Sequence, residues 1–567
     1  MWNRLIQLTT LLIGATVLGL GLDWELPTAE RISVLLHEIS LSDDDRARLD
    51  HSTEEYIEAR EAIDLTSRRA LEAGRTPEIY TATEIGARLS QKEHYRALRR
   101  YIVGSCAVDE RKPFIALARM NPSELDFDPR GFMYGGAYLY PMGGLLFVLQ
   151  KLGVLANTKD ISHYVEHPEQ IAAAYIPGRV LNVLAFLGIG VLLIMLGERI
   201  AGRTAGTVSL MAWMFSTLPL NQALVCKPHV YAAFWVLLGF YWLLRYQDSK
   251  MRRDLVVSAC ASGLGIGSSL VAVVAIAMYP VVLMDRRLQT AVTEVSIACS
   301  VCILAFLLTN PYVLINPTLY ELTIFQHAAV DGEGFGVFGL GKGLAALRDL
   351  LMKSYPFPLS FVAMGCVGFC ALRGRGMQGR LSVALGFSLL LLSFTVGLVR
   401  QMIFLGAPLC LFAGGALGRR LERCRPGARA LVCLFFLGPG ALLFGLFARD
   451  VIVDKGWYGP TKNWVEEAVL EGKTFGVFDR PEPVNHPPFP FFAREVLNLH
   501  VYQGGGRPPD FVVLGNFNRD REDWAAHPLR SEYRLGWTLG FRASFDALLG
   551  FRTRSESRVS GWVYTRK

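Results

Sequence analysis

The sequence lacks the patterns that mark zinc-binding, disulfide-linked and nucleotide-binding proteins. None of its ten cysteines follows a zinc-knuckle spacing, and none lies between Asp450 and Lys567, so we expect no disulfide framework. The glycine-rich stretch Gly263–Ser269 follows no predicted strand, which favours a broken or closely packed helix pair over a phosphate-binding loop. The loop histidines have no metal-ligand spacing. We therefore predict neither a bound metal nor a cofactor.

Charge is also scarce, at 19% of residues, whereas 51% are hydrophobic. Apolar stretches alternate with short basic connectors, and short loops rich in arginine and lysine stay cytoplasmic. These connectors are Glu198–Arg203, Lys250–Arg253, Asp285–Arg287, Arg373–Arg380 and Arg419–Arg423. The pattern predicts a polytopic membrane protein. The net charge of +8 sits largely in these connectors, so we expect a lipid bilayer and no nucleic acid as partner.

About eleven membrane-spanning helices are predicted, because a bilayer core of about 30 Å needs roughly 20 apolar residues in a helix. The first predicted span, Leu5–Leu22, is expected to stay uncleaved, since Asp23 follows it where a signal peptide would have small residues. The long stretch Leu255–Met284 begins and ends beside basic residues and must be two short helices. The other predicted spans are Leu5–Leu22, Ile176–Ile200, Ala205–Leu220, His229–Leu244, Glu294–Thr309, Phe357–Leu372, Leu381–Val399, Met402–Leu417 and Ala430–Phe447.

The segment Phe132–Leu155 is apolar but is predicted to lie along the outer surface. If it crossed the membrane, the basic cluster Arg199–Arg203 would fall outside and every later connector would be inverted. Its tyrosines, its glycines and Pro141 also suit an interfacial helix.

Two domains follow from this topology. Residues 1–449 form the transmembrane domain, which includes a large first extracytoplasmic loop over 23–177 with a charged helical portion around Asp43–Arg100. Residues 450–567 form a small extracytoplasmic α/β domain. There we predict a helix at Trp464–Glu471 and strands at Thr474–Asp479, Asp510–Leu514 and Gly561–Thr565. The N-terminus is predicted to be cytoplasmic.

Polar residues concentrate where predicted spans meet the outer side. Asp23, Glu25 and Glu30 follow the first span, and Asp126 and Asp128 precede the interfacial segment. Basic and amide residues stand at the other outer span ends: Arg179, Lys227, His229 and Asn310. Ionisable residues near the membrane are often functional, although each could be a solvated helix end. Together they could transfer a sugar from a lipid phosphate, with a carboxylate as general base and cations on the departing phosphate.

Several short motifs occur together between residues 1 and 450. They are Gly178–Asn182, Gly197–Gly206, Lys227–Trp235, Thr309–Leu314, and Asp126–Pro129 with Tyr134–Pro141. In these motifs, each weak but in the family's order, the sequence resembles bacterial GT-C glycosyltransferases of the protein O-mannosyltransferase and aminoarabinose-transferase type. Its C-terminal part is similar to the periplasmic tail of such proteins. The family also has a catalytic acid after its first span, usually in a Pro-Asp-Glu-like run. Here Pro27-Thr28-Ala29-Glu30 keeps only the glutamate, and Pro228-His229 replaces a frequent Pro-Asp.

The resemblance implies a glycosyltransferase in the bacterial inner membrane, acting at the extracytoplasmic face. Its donor would be a polyprenyl-phosphate sugar, and its acceptor a lipid, a glycan or a protein. The base would be Asp23, Glu30 or Glu25, with Asp128 as a second acid and Arg179 and Lys227 on the phosphate. His229, Tyr134 and Asn310 are further expected substrate contacts. Two alternatives remain open: a transporter or lipid-handling protein, and a non-catalytic assembly platform.

Overall fold

The computed structural model describes residues 2–52, 88–321, 403–449, 464–539 and 561–567, with short gaps inside these ranges and a few isolated positions between them. The predicted spans Phe357–Leu372 and Leu381–Val399 lie outside the described residues. In chain order the helices are α1 Trp2–Leu20, α2 Ala29–Leu36, α3 Gln91–Val103, α4 Lys112–Ala118, α5 Gly136–Lys151, α6 Ile161–Glu166, α7 Pro168–Ala201, α8 Arg203–Met214, α9 Thr217–Ala223, α10 His229–Ser249, α11 Arg252–Ser268, α12 Met278–Leu283, α13 Leu288–Thr309, α14 Tyr312–Ile315, α15 Ile403–Arg423 and α16 Pro426–Arg449.

The chain divides into two compact units. The first, here called the bundle unit, comprises Met1–Leu22, Lys112–Leu145 and Gly178–Ala448. The second, called the sheet unit, comprises Asp23–Arg111, Leu146–Pro177 and Arg449–Lys567.

Among the described residues, four helices are long and apolar enough to cross a membrane: α1, α7, α13 and α16. Each overlaps a span predicted from the sequence. The helix α5, at 16 residues, is shorter than the roughly 20 residues of a crossing. The described helices are thus those of a polytopic membrane protein, and the interfacial position of α5 stays a prediction.

Two predicted spans are interrupted. The stretch Ala205–Leu220 is divided into α8 and α9, because the ring of Pro219 conflicts with a helical carbonyl at residue 215, four positions earlier. The stretch Leu255–Met284 is broken at Ser269, the last residue of the predicted Gly263–Ser269 break. After it the chain continues as a 3₁₀ helix over Leu270–Ala277 before α12.

Polar contacts gather several predicted cytoplasmic residues at one end of the bundle unit. Arg4 of α1 pairs with Glu198 at 3.0 Å, and Gln7 donates to Glu198 at 3.1 Å. Arg199 donates to the backbone oxygen of Leu244 at 2.8 Å and pairs with Asp248. The start of α1 and the ends of α7 and α10 therefore share one end, as the alternating topology requires.

Glycines allow the helices of the bundle unit to approach closely. On α15, a Cβ at Gly414 would lie 2.0 Å from Ser209 Oγ, and one at Gly418 would lie 2.6 Å from the Cα of Ala205. Small residues four apart are a common device for close helix packing in membranes. The α8–α15 interface is built on this pair.

The sheet unit contains a five-stranded sheet in the order β2-β1-β3-β5-β4. Its strands are β1 Phe475–Val477, β2 Val496–Asn498, β3 Phe511–Leu514, β4 Tyr533–Leu539 and β5 Gly561–Arg566. β1 pairs in parallel with β2 and β3, whereas β5 is antiparallel to β3 and β4. β1, β3 and β5 lie where strands were predicted, and β2 and β4 were not predicted.

The core of the sheet unit takes residues from distant parts of the chain. Leu98 and Ile102 of α3 belong to the same buried cluster as Trp464, Phe475 and Phe511. The Tyr101 hydroxyl donates to the backbone oxygen of His486 at 3.0 Å, across 385 residues of sequence. The first loop and the C-terminal segment therefore fold around one core.

Candidate functional site

Two cationic side chains are buried in the bundle unit, Arg179 with 1% and Lys227 with 3% of its surface exposed. Each directly follows one residue of a close contact between α7 and the turn before α10, where a Cβ on Gly178 would lie 2.1 Å from the sulfur of Cys226. Arg179 Nη1 donates to the backbone oxygen of Leu22 at 3.0 Å, beyond the end of α1. Ionisable side chains are rarely buried this deeply, so these two cations mark the place as a candidate site.

The turn that carries Lys227 is held by its own backbone and by α7. The amide of Lys227 donates to the oxygen of Val225 at 2.7 Å. Asn182 Nδ2 donates to the same oxygen at 2.6 Å and to the oxygen of Lys227 at 2.7 Å. Pro228 then caps α10, which begins at His229. Local hydrogen bonds thus fix the backbone of the turn.

Aromatic rings join this turn to the segment before α5. Tyr134 and His229 meet edge to face, with ring centroids 6.2 Å apart. Tyr138 lies 5.6 Å from Tyr231, and its hydroxyl donates to the oxygen of Gly178 at 3.2 Å. The predicted substrate residues Tyr134, Lys227 and His229 therefore share one buried region.

Asn310 connects three elements through its amide group. Its Oδ1 accepts from the amide of Gly136 at 2.8 Å, and its Nδ2 donates to the oxygen of Gly267 at 3.1 Å. The amide of Gly135 donates to the oxygen of Ser268 at 3.0 Å. These bonds satisfy carbonyls that the end of α11 leaves without helical partners.

Asp128 is buried and ties its loop to the chain after α14. Its Oδ1 accepts from the amide of Arg130 at 2.8 Å, and its Oδ2 accepts from Asn316 Nδ2 at 3.1 Å. The amide of Phe127 donates to the hydroxyl of Tyr312 at 3.0 Å. The carboxylate therefore shapes the loop around it.

The three candidate bases belong to the sheet unit. Asp23 and Glu30 are exposed, and Glu30 lies in the first turn of α2. Glu25 is 5% exposed and has a left-handed backbone with a φ of 57°. A non-glycine residue in this region is unusual, and such strain is found preferentially at functional sites.

No group of three or more histidine, cysteine or acidic residues that could hold a metal ion is found among the described residues. Sequence reasoning singled out Arg179 and Lys227 but gave no role to Asn182, which appeared only as the end of the motif Gly178–Asn182. The sequence alone could have placed Asn182 on the same helix face as Arg179, since residues three apart on a helix share one face. It could not have predicted the contact with residues 225 and 227.

No family model matches the chain, and no curated protein matches it. Several solved structures are similar at 10–14% sequence identity. An oligosaccharyltransferase from Archaeoglobus fulgidus, in complex with Zn and sulfate, is 11% identical over 62% of this chain and 48% of its own, with a TM-score of 0.39. ArnT from Cupriavidus metallidurans bound to undecaprenyl phosphate is 14% identical over 83% and 96%, with a TM-score of 0.39. The arabinofuranosyltransferase AftD from Mycobacteria is 14% identical over 86% and 40%, with a TM-score of 0.40.

The three names are those of glycosyltransferases, the class that the sequence resembles. The chain spans about half the length of the Archaeoglobus oligosaccharyltransferase structures that it matches, 47–59%.

Proposed function

We propose that this protein is a membrane glycosyltransferase that moves a sugar from a polyprenyl-phosphate donor to an acceptor at the extracytoplasmic face. The observation that carries the proposal is the pair of buried cations Arg179 and Lys227, each of which directly follows one residue of the Gly178–Cys226 contact. When the bond between sugar and lipid phosphate breaks, negative charge develops on the phosphate. Preorganised cations in a low-dielectric place stabilise that charge far better than exposed ones do.

The general base of this reaction is one of Asp23, Glu25 and Glu30. Their position after the first span and the family resemblance support all three. The structure adds a distinction, because Glu25 alone among them is buried and has a left-handed backbone. Burial keeps the Glu25 side chain away from bulk water, and strained positions of this kind are found preferentially at functional sites. We therefore rank Glu25 first for the experiment below.

The remaining predicted residues are proposed to shape and line the donor site. Tyr134 and His229 contribute a perpendicular ring pair, which suits an apolar lipid chain or a sugar face. Asp128 and Asn310 use their polar atoms within the protein. They would act by holding the loops in place, with Asp128 as the second acidic contributor.

The wider setting is also proposed. The protein would lie in a bacterial inner membrane with a cytoplasmic N-terminus and an extracytoplasmic C-terminal segment, and would transfer a hexose or a pentose. The basic connectors support this orientation. The acceptor would be a lipid, a glycan or a protein.

The test is transfer of labelled sugar from a panel of polyprenyl-phosphate sugars in membranes that contain the protein. Wild type is compared with Asp23→Asn, Glu25→Gln, Glu30→Gln and Asp128→Asn. Loss of the base should lower the rate about 10²–10⁴-fold at unchanged protein level. The matched control is Glu169→Gln, which removes an exposed carboxylate in the first turn of α7.

Transfer that depends on one of Asp23, Glu25 and Glu30 but not on Glu169 supports the proposal. Absence of transfer by wild type with every donor would instead favour the transporter or the assembly platform. So would transfer that none of the acidic substitutions changes.

A further inference from the structure

Asn182 makes a two-point contact with the turn before α10. Its side chain is fully buried, and its single NH₂ group donates to the carbonyl oxygens of Val225 and Lys227, at 2.6 and 2.7 Å. The turn closes on itself through the 2.7 Å bond from the Lys227 amide to the Val225 oxygen. Three hydrogen bonds thus define a segment of only three residues.

Packing against α7 also holds the turn Val225–Lys227 in place. Gly178 is four residues before Asn182, one turn along α7. Any side chain at Gly178 would meet Cys226, since a Cβ would lie 2.1 Å from its sulfur and 3.2 Å from its Cβ. The Cys226 sulfur also lies 3.5 Å from the Tyr138 hydroxyl and from the Met142 sulfur. Asn182 and Gly178 therefore hold the turn against α7.

The arrangement leaves Asn182 incompletely satisfied. Its Oδ1 is buried and accepts no hydrogen bond in the part of the chain that the structure describes. A buried acceptor without a partner is destabilising, and a leucine of similar size would avoid it. What asparagine supplies and leucine cannot is donation to both carbonyls.

The geometry points to Asn182 as a positioning residue, which fixes the turn Val225–Lys227 so that the Lys227 ammonium meets the phosphate of the lipid donor. A lysine side chain is long and flexible, so its reach is set by where its Cα is held. Asn182 would not touch the donor itself. This inference rests on the proposed function, and its experiment separates the two.

The first measurement does not require activity. Cys226 has no exposed surface, so iodoacetamide should modify it slowly in the detergent-solubilised full chain. Asn182→Leu removes both donors and should raise the alkylation rate of Cys226, followed by mass spectrometry, about tenfold through local opening. The matched control is Asn221→Leu, which replaces another buried asparagine on α9 and should leave Cys226 protected.

The second measurement is the affinity for undecaprenyl phosphate in a double-mutant cycle. Asn182→Leu and Lys227→Met should each weaken binding about tenfold, and the double variant should bind no more weakly than Lys227→Met alone. If Asn182→Leu weakened binding only by disturbing the fold, it would also weaken binding in the Lys227→Met background. If Asn182→Leu fails to fold, Asn182→Ser, which keeps one donor, takes its place in both measurements.

Protection of Cys226 that persists in Asn182→Leu would overturn the inference, and so would losses that multiply in the double variant. If wild type binds no undecaprenyl phosphate and transfers no sugar, the proposed function fails. Faster alkylation of Cys226 in the Asn182→Leu variant would still establish Asn182 as the residue that holds the turn.

Discussion

At the scale of single residues, the polar side chains of the site divide by how their atoms are used. In Asp128 and Asn310, both polar side-chain atoms make hydrogen bonds within the bundle unit. Arg179 and Lys227 bring charge to a buried region that also holds the rings of Tyr134 and His229. Substitution of the first pair should therefore lower stability together with activity. Substitution of the second pair should act chiefly on the affinity for an anionic donor.

Gly135 has no room for a side chain, because a Cβ there would lie 1.8 Å from the backbone oxygen of Gly267. Gly135→Ala should break the contact with the end of α11 and destabilise the protein by about 1–3 kcal/mol. Thermal unfolding of the detergent-solubilised protein measures this. Gly144→Ala is the control, since its Cβ would meet nothing within 4 Å on the helix α5. Equal unfolding temperatures for the two variants would contradict the close approach.

His486 is a fully buried imidazole, and burial lowers its pKa to about 4 from an ordinary value of 6.5. Between these values the unfolded chain binds a proton that the folded chain does not. The contribution to stability is therefore complete above pH 6.5 and falls as the pH drops towards 4, by up to about 3 kcal/mol.

His486→Phe should remove this pH dependence from the unfolding of the sheet unit. The measurement is the midpoint of thermal unfolding between pH 4 and 7. His51→Gln, which replaces an exposed histidine, should keep the wild-type slope. A slope unchanged by His486→Phe would assign the acid sensitivity to other groups.

At the scale of helices, the α8–α15 interface depends on the glycine pair. Gly418→Ala would place a Cβ 2.6 Å from the Cα of Ala205, so the helices must separate, at about 1–3 kcal/mol. The neighbouring Gly415 faces open space except for Ala201 Cβ at 3.8 Å. Gly415→Ala should be neutral or slightly stabilising, because alanine favours helix. Unfolding of both variants at the wild-type temperature would show that the α8–α15 interface does not depend on a glycine at position 418.

Apolar length predicted most described helices, since a bilayer constrains helix length directly. It could not predict where helices break. The 3₁₀ segment Leu270–Ala277 has the same apolar composition as a helix, and only the serine before it marks the change. The strand β2 is three residues long, too short for an alternating pattern to be visible.

The sequence pointed to candidate site residues, whose roles stay predictions, but it could not predict their contacts. Arg179 and Lys227 stood out because they are cations at the outer ends of predicted spans, away from the basic connectors. Their common neighbourhood depends on Gly178 fitting against Cys226, a contact between residues far apart in sequence. Such contacts arise from packing, which local patterns do not encode.

At the scale of the whole molecule, the predicted topology places the basic connectors on the cytoplasmic side and residues 450–567 outside. Alkaline phosphatase, which is active only outside the cytoplasm, should be inactive when fused after Lys250 and active when fused after Lys567. Green fluorescent protein at the same positions should give the opposite result. Activity of phosphatase after Lys250 would reverse the proposed orientation.

The shared core of the sheet unit also has a consequence for how the protein is made. Tyr101 and His486 are 385 residues apart, which at 5–20 residues per second is roughly 20–80 s of synthesis. During that time the first loop has already been made, but its aromatic partners Trp464 and Phe475 do not yet exist. The first loop therefore lacks these core partners while the intervening chain is synthesised, and we expect it to be most susceptible to proteases during that time.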